Sequence, residues 1–132
     1  MPFPSPESAE LGPTSLDESA LARLRELDPT GQAGIVARVL ATFDSSLQRL
    51  QTQFNAAVEA GDAETMRQVA HTLRSSSASV GAMDLSGACR EVENAVREGR
   101  LPDLPDQAAR LQREFPRAAA AVRQALGQGV TP

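Results

Sequence analysis

The chain has 132 residues, a formal net charge of −4, and neither tyrosine nor tryptophan. This length fits one domain with a core of its own. The modest negative charge argues against a nucleic-acid surface, which is usually basic, and no apolar run approaches the ~20 residues of a membrane span. Alanine, leucine, glutamine, glutamate and arginine are abundant and favour helices, and no stretch alternates as a half-buried strand does. The predicted class is therefore all-α.

The chain begins with a proline-rich stretch, residues 1–14, which holds four prolines. This composition is typical of a flexible segment or linker. The stretch Ser15-Leu16-Asp17-Glu18 then has the pattern of a capping box, so a short first helix should start near Ser15. The turn residues Asp28-Pro29-Thr30-Gly31 should end it.

Four longer helices follow, at about residues 31–60, 63–80, 83–98 and 104–126. Their apolar residues recur at spacings of three and four, the pattern of helices that pack in a bundle. Pro116 should kink the last helix. We expect an antiparallel up-down four-helix bundle with the short helix added at its N-terminal side, spanning residues 15–127, and a disordered tail over 128–132. The clearest stripe is that of the second predicted helix: Val36, Leu40, Phe43, Leu47, Leu50, Phe54 and Ala57.

The chain contains one histidine, His71, and one cysteine, Cys89. A single cysteine cannot form an internal disulfide, which suits a reducing, cytoplasmic location, and we expect Cys89 to be a small buried core residue. One histidine and one cysteine 18 residues apart do not make a metal site. The pairs Asp62/Glu64 and Glu91/Glu93 are predicted to be caps and solvated positions.

His71 is predicted to face solvent near the middle of the third helix. At 100° per residue it lies about 160° from the core positions Val69 and Leu73. The same face carries a fixed cation, Arg74, and small residues that leave room for another protein. A neutral ring nitrogen can attack phosphorus without a separate base, and Arg74 can hold the resulting phosphoryl group by charge-assisted hydrogen bonds. The residues sharing the face are Glu64, Arg67, Gln68, Ser75 and Ala78.

This stretch resembles the signature of the histidine-containing phosphotransfer (HPt) domain, a helical H-x-L-K-G-S-S followed by three variable residues and Gly-Ala. Here it reads His71-Thr72-Leu73-Arg74-Ser75-Ser76-Ser77, with Gly81-Ala82 at the required distance. Further along, Leu85, Cys89 and Glu93 are similar to the family's L-x-x-x-C-x-x-x-E run. The resemblance covers about residues 16–126, with Arg74 in place of the usual lysine and Ser75 in place of the usual glycine.

The resemblance implies a phosphorelay carrier whose nucleophile is His71 and whose phosphoryl-stabilising residue is Arg74. HPt domains move a phosphoryl group between aspartates of receiver domains, from a hybrid sensor kinase to a response regulator. The receiver would supply the acidic pocket and the Mg²⁺, and this chain would need no cofactor of its own. Glu64, Arg67, Gln68, Ser75 and Ala78 would form the docking surface, and the protein would act as a monomer without nucleic acid or membrane insertion.

Two other functions fit the same sequence. A helical adaptor would bind a receiver domain or kinase through this surface without phosphotransfer, and a purely structural bundle would bind no receiver at all. A serine hydrolase built on Ser75 and His71 is disfavoured, because no nucleophile elbow is present and no acid is predicted to orient the ring.

Overall fold

The computed structural model describes the backbone of residues 15–130 and the side chains of residues 15–127. Within that range the chain forms α-helices and no strands, so the all-α class is confirmed. The α-helices are α1 (Glu18–Glu26), α2 (Ile35–Ala60), α3 (Ala63–Ser79), α4 (Met83–Arg97) and α5 (Leu104–Val130), and a 3₁₀ turn (Leu101–Asp103) precedes α5.

The four long helices form a bundle in which each helix packs against two others. Helix α2 packs against α3 and α5, and α4 packs against the same two helices. The connections are short, because glycines in the left-handed conformation end α2 at Gly61 and follow α3 at Gly81. Helix α1 contacts α2, and the Asp17 amide just before it donates to the Gly81 carbonyl at 2.8 Å. The predicted four-helix bundle with an additional short helix is therefore confirmed.

The core is aliphatic with a small aromatic centre, as the composition indicates. Phe54 of α2 and Phe115 of α5 are fully buried, with ring centroids 5.8 Å apart. The predicted stripe of α2 is buried from Leu40 to Ala57, and Val36 is partly buried at its start. Cys89 is also buried in this core, as expected.

The starts of two helices differ from the predictions. Asp17, rather than Ser15, caps α1, because its carboxylate accepts the Ala20 amide at 3.1 Å. Helix α2 begins at Ile35 rather than near Gly31, because the Asp28 carboxylate holds the preceding loop by accepting the Ala33 and Ile35 amides at 3.3 and 3.2 Å.

Helix α5 continues through Pro116 and extends to Val130, so residues 128–130 of the predicted tail are helical. Pro116 is exposed, which places its ring outside the core. The predicted flexible segment, residues 1–14, and the last two residues of the tail lie outside the described residues. No helix in the described range is both long and apolar enough to span a membrane.

Candidate functional site

The candidate site lies on α3, whose orientation is set by its cap and its buried face. The Asp62 carboxylate accepts the Thr65 amide at 3.1 Å and the Thr65 hydroxyl at 2.6 Å, and these bonds lower the pKa of Asp62. Val69 and Leu73 face the core. His71 therefore points away from the core, and its side chain is 66 % exposed, as predicted.

A buried carboxylate lies directly beside the imidazole. Glu93 of α4 is only 2 % exposed, and its Oε2 lies 2.6 Å from Nδ1 of His71. Its other oxygen, Oε1, accepts a hydrogen bond from Nη1 of Arg74 at 2.9 Å. One carboxylate thus holds both residues that the sequence placed in the phosphoryl site.

The prediction that Glu93 is a solvated position is wrong, and so is the expectation that no acid orients the ring. Glu93 follows Cys89 by one turn on the buried face of α4, between Val92 and Ala95. This helix packs against α3, and Ser86 of α4 donates its hydroxyl to the Arg74 carbonyl at 3.0 Å. At this close packing, the Glu93 side chain reaches His71 and Arg74 at the edge of the helix pair.

The carboxylate determines which ring nitrogen is available for chemistry. Because Glu93 and Arg74 are ion-paired, the carboxylate is an acceptor, and we assign the ring hydrogen to Nδ1 on that basis. The lone pair then lies on Nε2. Among the described residues, no hydrogen-bond partner contacts Nε2, so this nitrogen is open to a reactant.

The thiol of Cys89 is close to this carboxylate and is unreactive. Burial, followed by the negative charge of Glu93, raises the pKa of Cys89 to about 12. The thiolate, which is the nucleophilic form, is therefore very scarce near neutral pH.

The predicted docking residues divide into two groups along α3. Before His71, Arg67 makes two hydrogen bonds to the Glu64 carboxylate, at 2.9 and 2.7 Å, and Gln68 donates to the same carboxylate at 3.3 Å. These bonds raise the pKa of Arg67 and lower that of Glu64. After His71, Ser75 is exposed and Ala78 is half-buried. All five residues lie on the same helix as the imidazole, and among the hydrogen bonds of the described residues none joins one of them to the ring.

The serines after His71 have structural roles. Ser77 is buried and Ser76 is exposed, and both donate their hydroxyls to the Leu73 carbonyl. Ser76 also lies at the rim of an open groove of about 520 Å³ between α2 and α3. In the described part of the chain, no group of three or more His, Cys, Asp or Glu residues could hold a metal ion.

Two comparisons with known proteins give matches. The model of the Hpt domain family matches residues 38–125, a range that contains His71, Arg74 and Glu93. The crystal structure of histidine-containing phosphotransfer protein B from Pseudomonas aeruginosa PAO1 is similar, with a TM-score of 0.72 and 30% sequence identity. The match covers 86% of this chain and 95% of that chain. A search of curated proteins finds no match.

Proposed function

The chain belongs to the Hpt domain family of histidine phosphotransfer proteins, which act in phosphorelays with receiver domains, and we propose that it carries its phosphoryl group on Nε2 of His71. One observation supports this assignment above all others. The single histidine of the chain is exposed, while its Nδ1 lies 2.6 Å from a buried carboxylate. The ring is therefore held in place with its other nitrogen directed away from its anchor.

In the proposed transfer, the lone pair on Nε2 attacks the phosphorus of an aspartyl phosphate on a receiver domain. A bond from phosphorus to Nε2 forms, and the bond from phosphorus to the aspartate oxygen breaks, which returns its electron pair to the aspartate carboxylate. The ring keeps its hydrogen on Nδ1 and so becomes positively charged. The Glu93 carboxylate stabilises that charge, and transfer to a second aspartate is the reverse reaction.

Arg74 is suited to stabilise the phosphoryl group. Its Nη1 donates a hydrogen bond to Glu93, which fixes the guanidinium on the same side of α3 as the ring. Its side chain is 41 % exposed, and a guanidinium has further N–H groups that can meet phosphoryl oxygens. The Arg74 guanidinium thus offers hydrogen-bond donors beside the incoming phosphorus without a change in the helix.

We further propose that the face around His71 is the receiver-docking surface. Ser75 and Ala78 leave space beyond the ring, and Gln68, Arg67 and Glu64 form the polar edge on the other side. The receiver would contribute the acidic pocket and Mg²⁺, and the two partners would be receiver domains of a hybrid sensor kinase and of a response regulator. The protein would act as a monomer.

The test is transfer from a phosphorylated receiver domain in the presence of Mg²⁺, comparing the native chain with His71→Gln. The substitution removes the nucleophile at an exposed position, so the helical circular dichroism spectrum should be unchanged. We expect acid-labile, alkali-stable label on the native chain and none on His71→Gln. Receiver binding by both chains, with label on neither, would refute the carrier function in favour of the phosphorylation-independent adaptor.

A further inference from the structure

We propose that Arg97 of α4 is a second positioning residue for His71. The Arg97 guanidinium moves onto the Glu93 carboxylate when Arg74 also binds the phosphoryl group. This inference rests on the proposed function, because it concerns the phosphorylated state. It assigns a role to a residue outside the motif on α3.

The two oxygens of Glu93 are used unequally. Oε1 accepts from Arg74, whereas Oε2 lies 2.6 Å from Nδ1 of His71 and 3.9 Å from Nη1 of Arg97. The distance to Arg97 is too long for a hydrogen bond. In the unphosphorylated state Arg97 is therefore a nearby cation that attracts the carboxylate without bonding to it.

Arg97 is able to move closer. It follows Glu93 by one helical turn, and its side chain is 60 % exposed. In the described part of the chain, Glu93 is its only ion-pair partner within 4.0 Å. A displacement of about 1 Å would bring the guanidinium to hydrogen-bonding distance of the carboxylate.

Phosphorylation changes the charges around Glu93. With a neutral ring, the carboxylate is balanced by Arg74. A phosphoryl group adds about two negative charges near the ring, so Arg74 is then shared between two anions and holds the carboxylate less strongly. The positively charged ring stays paired with Oε2, but the hydrogen bond from Arg74 to Oε1 is weakened, and a poorly satisfied oxygen of a buried carboxylate is costly. Closure of Arg97 gives the carboxylate a further cationic donor, keeps Glu93 ionised, and keeps the ring hydrogen on Nδ1.

A double-mutant cycle tests whether Arg97 takes over from Arg74. We expect Arg97→Gln alone to change the unfolding equilibrium constant by less than about threefold, because the pair is long and exposed. In a chain that already carries Arg74→Gln, Arg97→Gln should raise the unfolding equilibrium constant by about tenfold, which is a loss of stability. Arg113→Gln, an exposed charge change on α5, is the control and should behave alike in both backgrounds. An equal effect of Arg97→Gln in both backgrounds would overturn the inference.

A second measurement uses phosphoramidate, a small phosphoryl donor that needs no receiver. In chains labelled with ¹⁵N-histidine, Arg97→Gln should leave the Nδ1 shift of unphosphorylated His71 as in the native chain and move it in the phosphorylated form. An unmoved shift in the phosphorylated form would contradict a role for Arg97. Failure of a phosphorylated receiver to label a chain that phosphoramidate does label would refute the proposed function alone.

Discussion

Replacing Glu93 by glutamine removes the charge of the buried carboxylate with little change in shape. A glutamine offers one acceptor oxygen, whereas the carboxylate accepts from both His71 and Arg74. The amide group therefore faces one of the two donors without accepting from it. We expect Glu93→Gln to fold, to lose the fixed ring hydrogen on Nδ1, and to transfer phosphoryl groups slowly.

The size of the effect follows from the exposure of the two partners. Hydrogen bonds to charged groups contribute about 1.5–3 kcal/mol each. His71 and Arg74 are 66 % and 41 % exposed, so water replaces part of what they lose. Removal of the buried charge offsets a further part. We expect the free energy of unfolding to fall by about 1–2 kcal/mol.

Phosphotransfer should suffer more than stability, because the ring becomes positively charged during the reaction. Loss of a charged hydrogen-bond partner raises the activation free energy by about 1.5–3 kcal/mol, which makes phosphoryl uptake about 10 to 100 times slower. The assay is the rate of label transfer from a phosphorylated receiver domain, together with the ¹⁵N shifts of the ring. Glu91→Gln, two positions earlier and half-buried, is the matched control and should transfer at the native rate. Native transfer and unchanged shifts in Glu93→Gln would refute the role given to this carboxylate.

Three other outcomes test the fold and the local electrostatics. Gly81→Ala should lower the free energy of unfolding by about 1–3 kcal/mol in chemical denaturation, because φ is +86° and the new Cβ would lie 2.6 Å from the Asp17 amide nitrogen. Cys89 should react with a thiol reagent at pH 8 far more slowly in the native chain than in denaturant, because its pKa is raised to about 12. Asp62→Ala should lower the melting temperature at neutral pH, and the difference from the native chain should shrink as pH falls below the usual carboxyl value of 3.8, because the folded pKa of Asp62 lies lower still.

Each of these outcomes has its own contrary result. Gly99→Ala shares the positive φ but meets no atom within 4 Å, so equal losses at both glycines would contradict the contact with Asp17. Equal labelling rates of Cys89 in the two states would contradict its burial. A difference for Asp62→Ala that persists or grows in acid would contradict the lowered pKa.

The sequence was sufficient for the fold because the bundle is encoded in local periodicity. The spacing of apolar residues in α2 predicts its buried stripe from Leu40 to Ala57. The spacing of Val69 and Leu73 in α3 likewise predicts that His71 points outward. The helix starts depend on more than this local periodicity. Ser15 and Asp17 both have side chains suited to an N-cap, and in the structure it is the Asp17 carboxylate that accepts the Ala20 amide, while the Asp17 amide donates to the distant Gly81 carbonyl.

The functional site was predicted only in part, because its second half lies on another helix. His71 and Arg74 share one face of α3 and carry a recognisable motif. Glu93 reaches them from α4, 22 positions away from the histidine. The prediction that Glu93 is solvated is wrong, because its one-turn spacing from Cys89 places it on the buried face of α4. A charged residue on a buried face indicates that a polar partner lies within reach, and here the partners are His71 and Arg74.

The most direct measurement is the ¹⁵N and ³¹P NMR spectrum of the native chain after transfer from a phosphorylated receiver domain. Because the chain has one histidine, every ring signal belongs to His71. The account predicts coupling between phosphorus and Nε2, with Nδ1 still protonated. Phosphorus on Nδ1, or a ring that carries no phosphorus while the receiver loses its label to this chain, would contradict it.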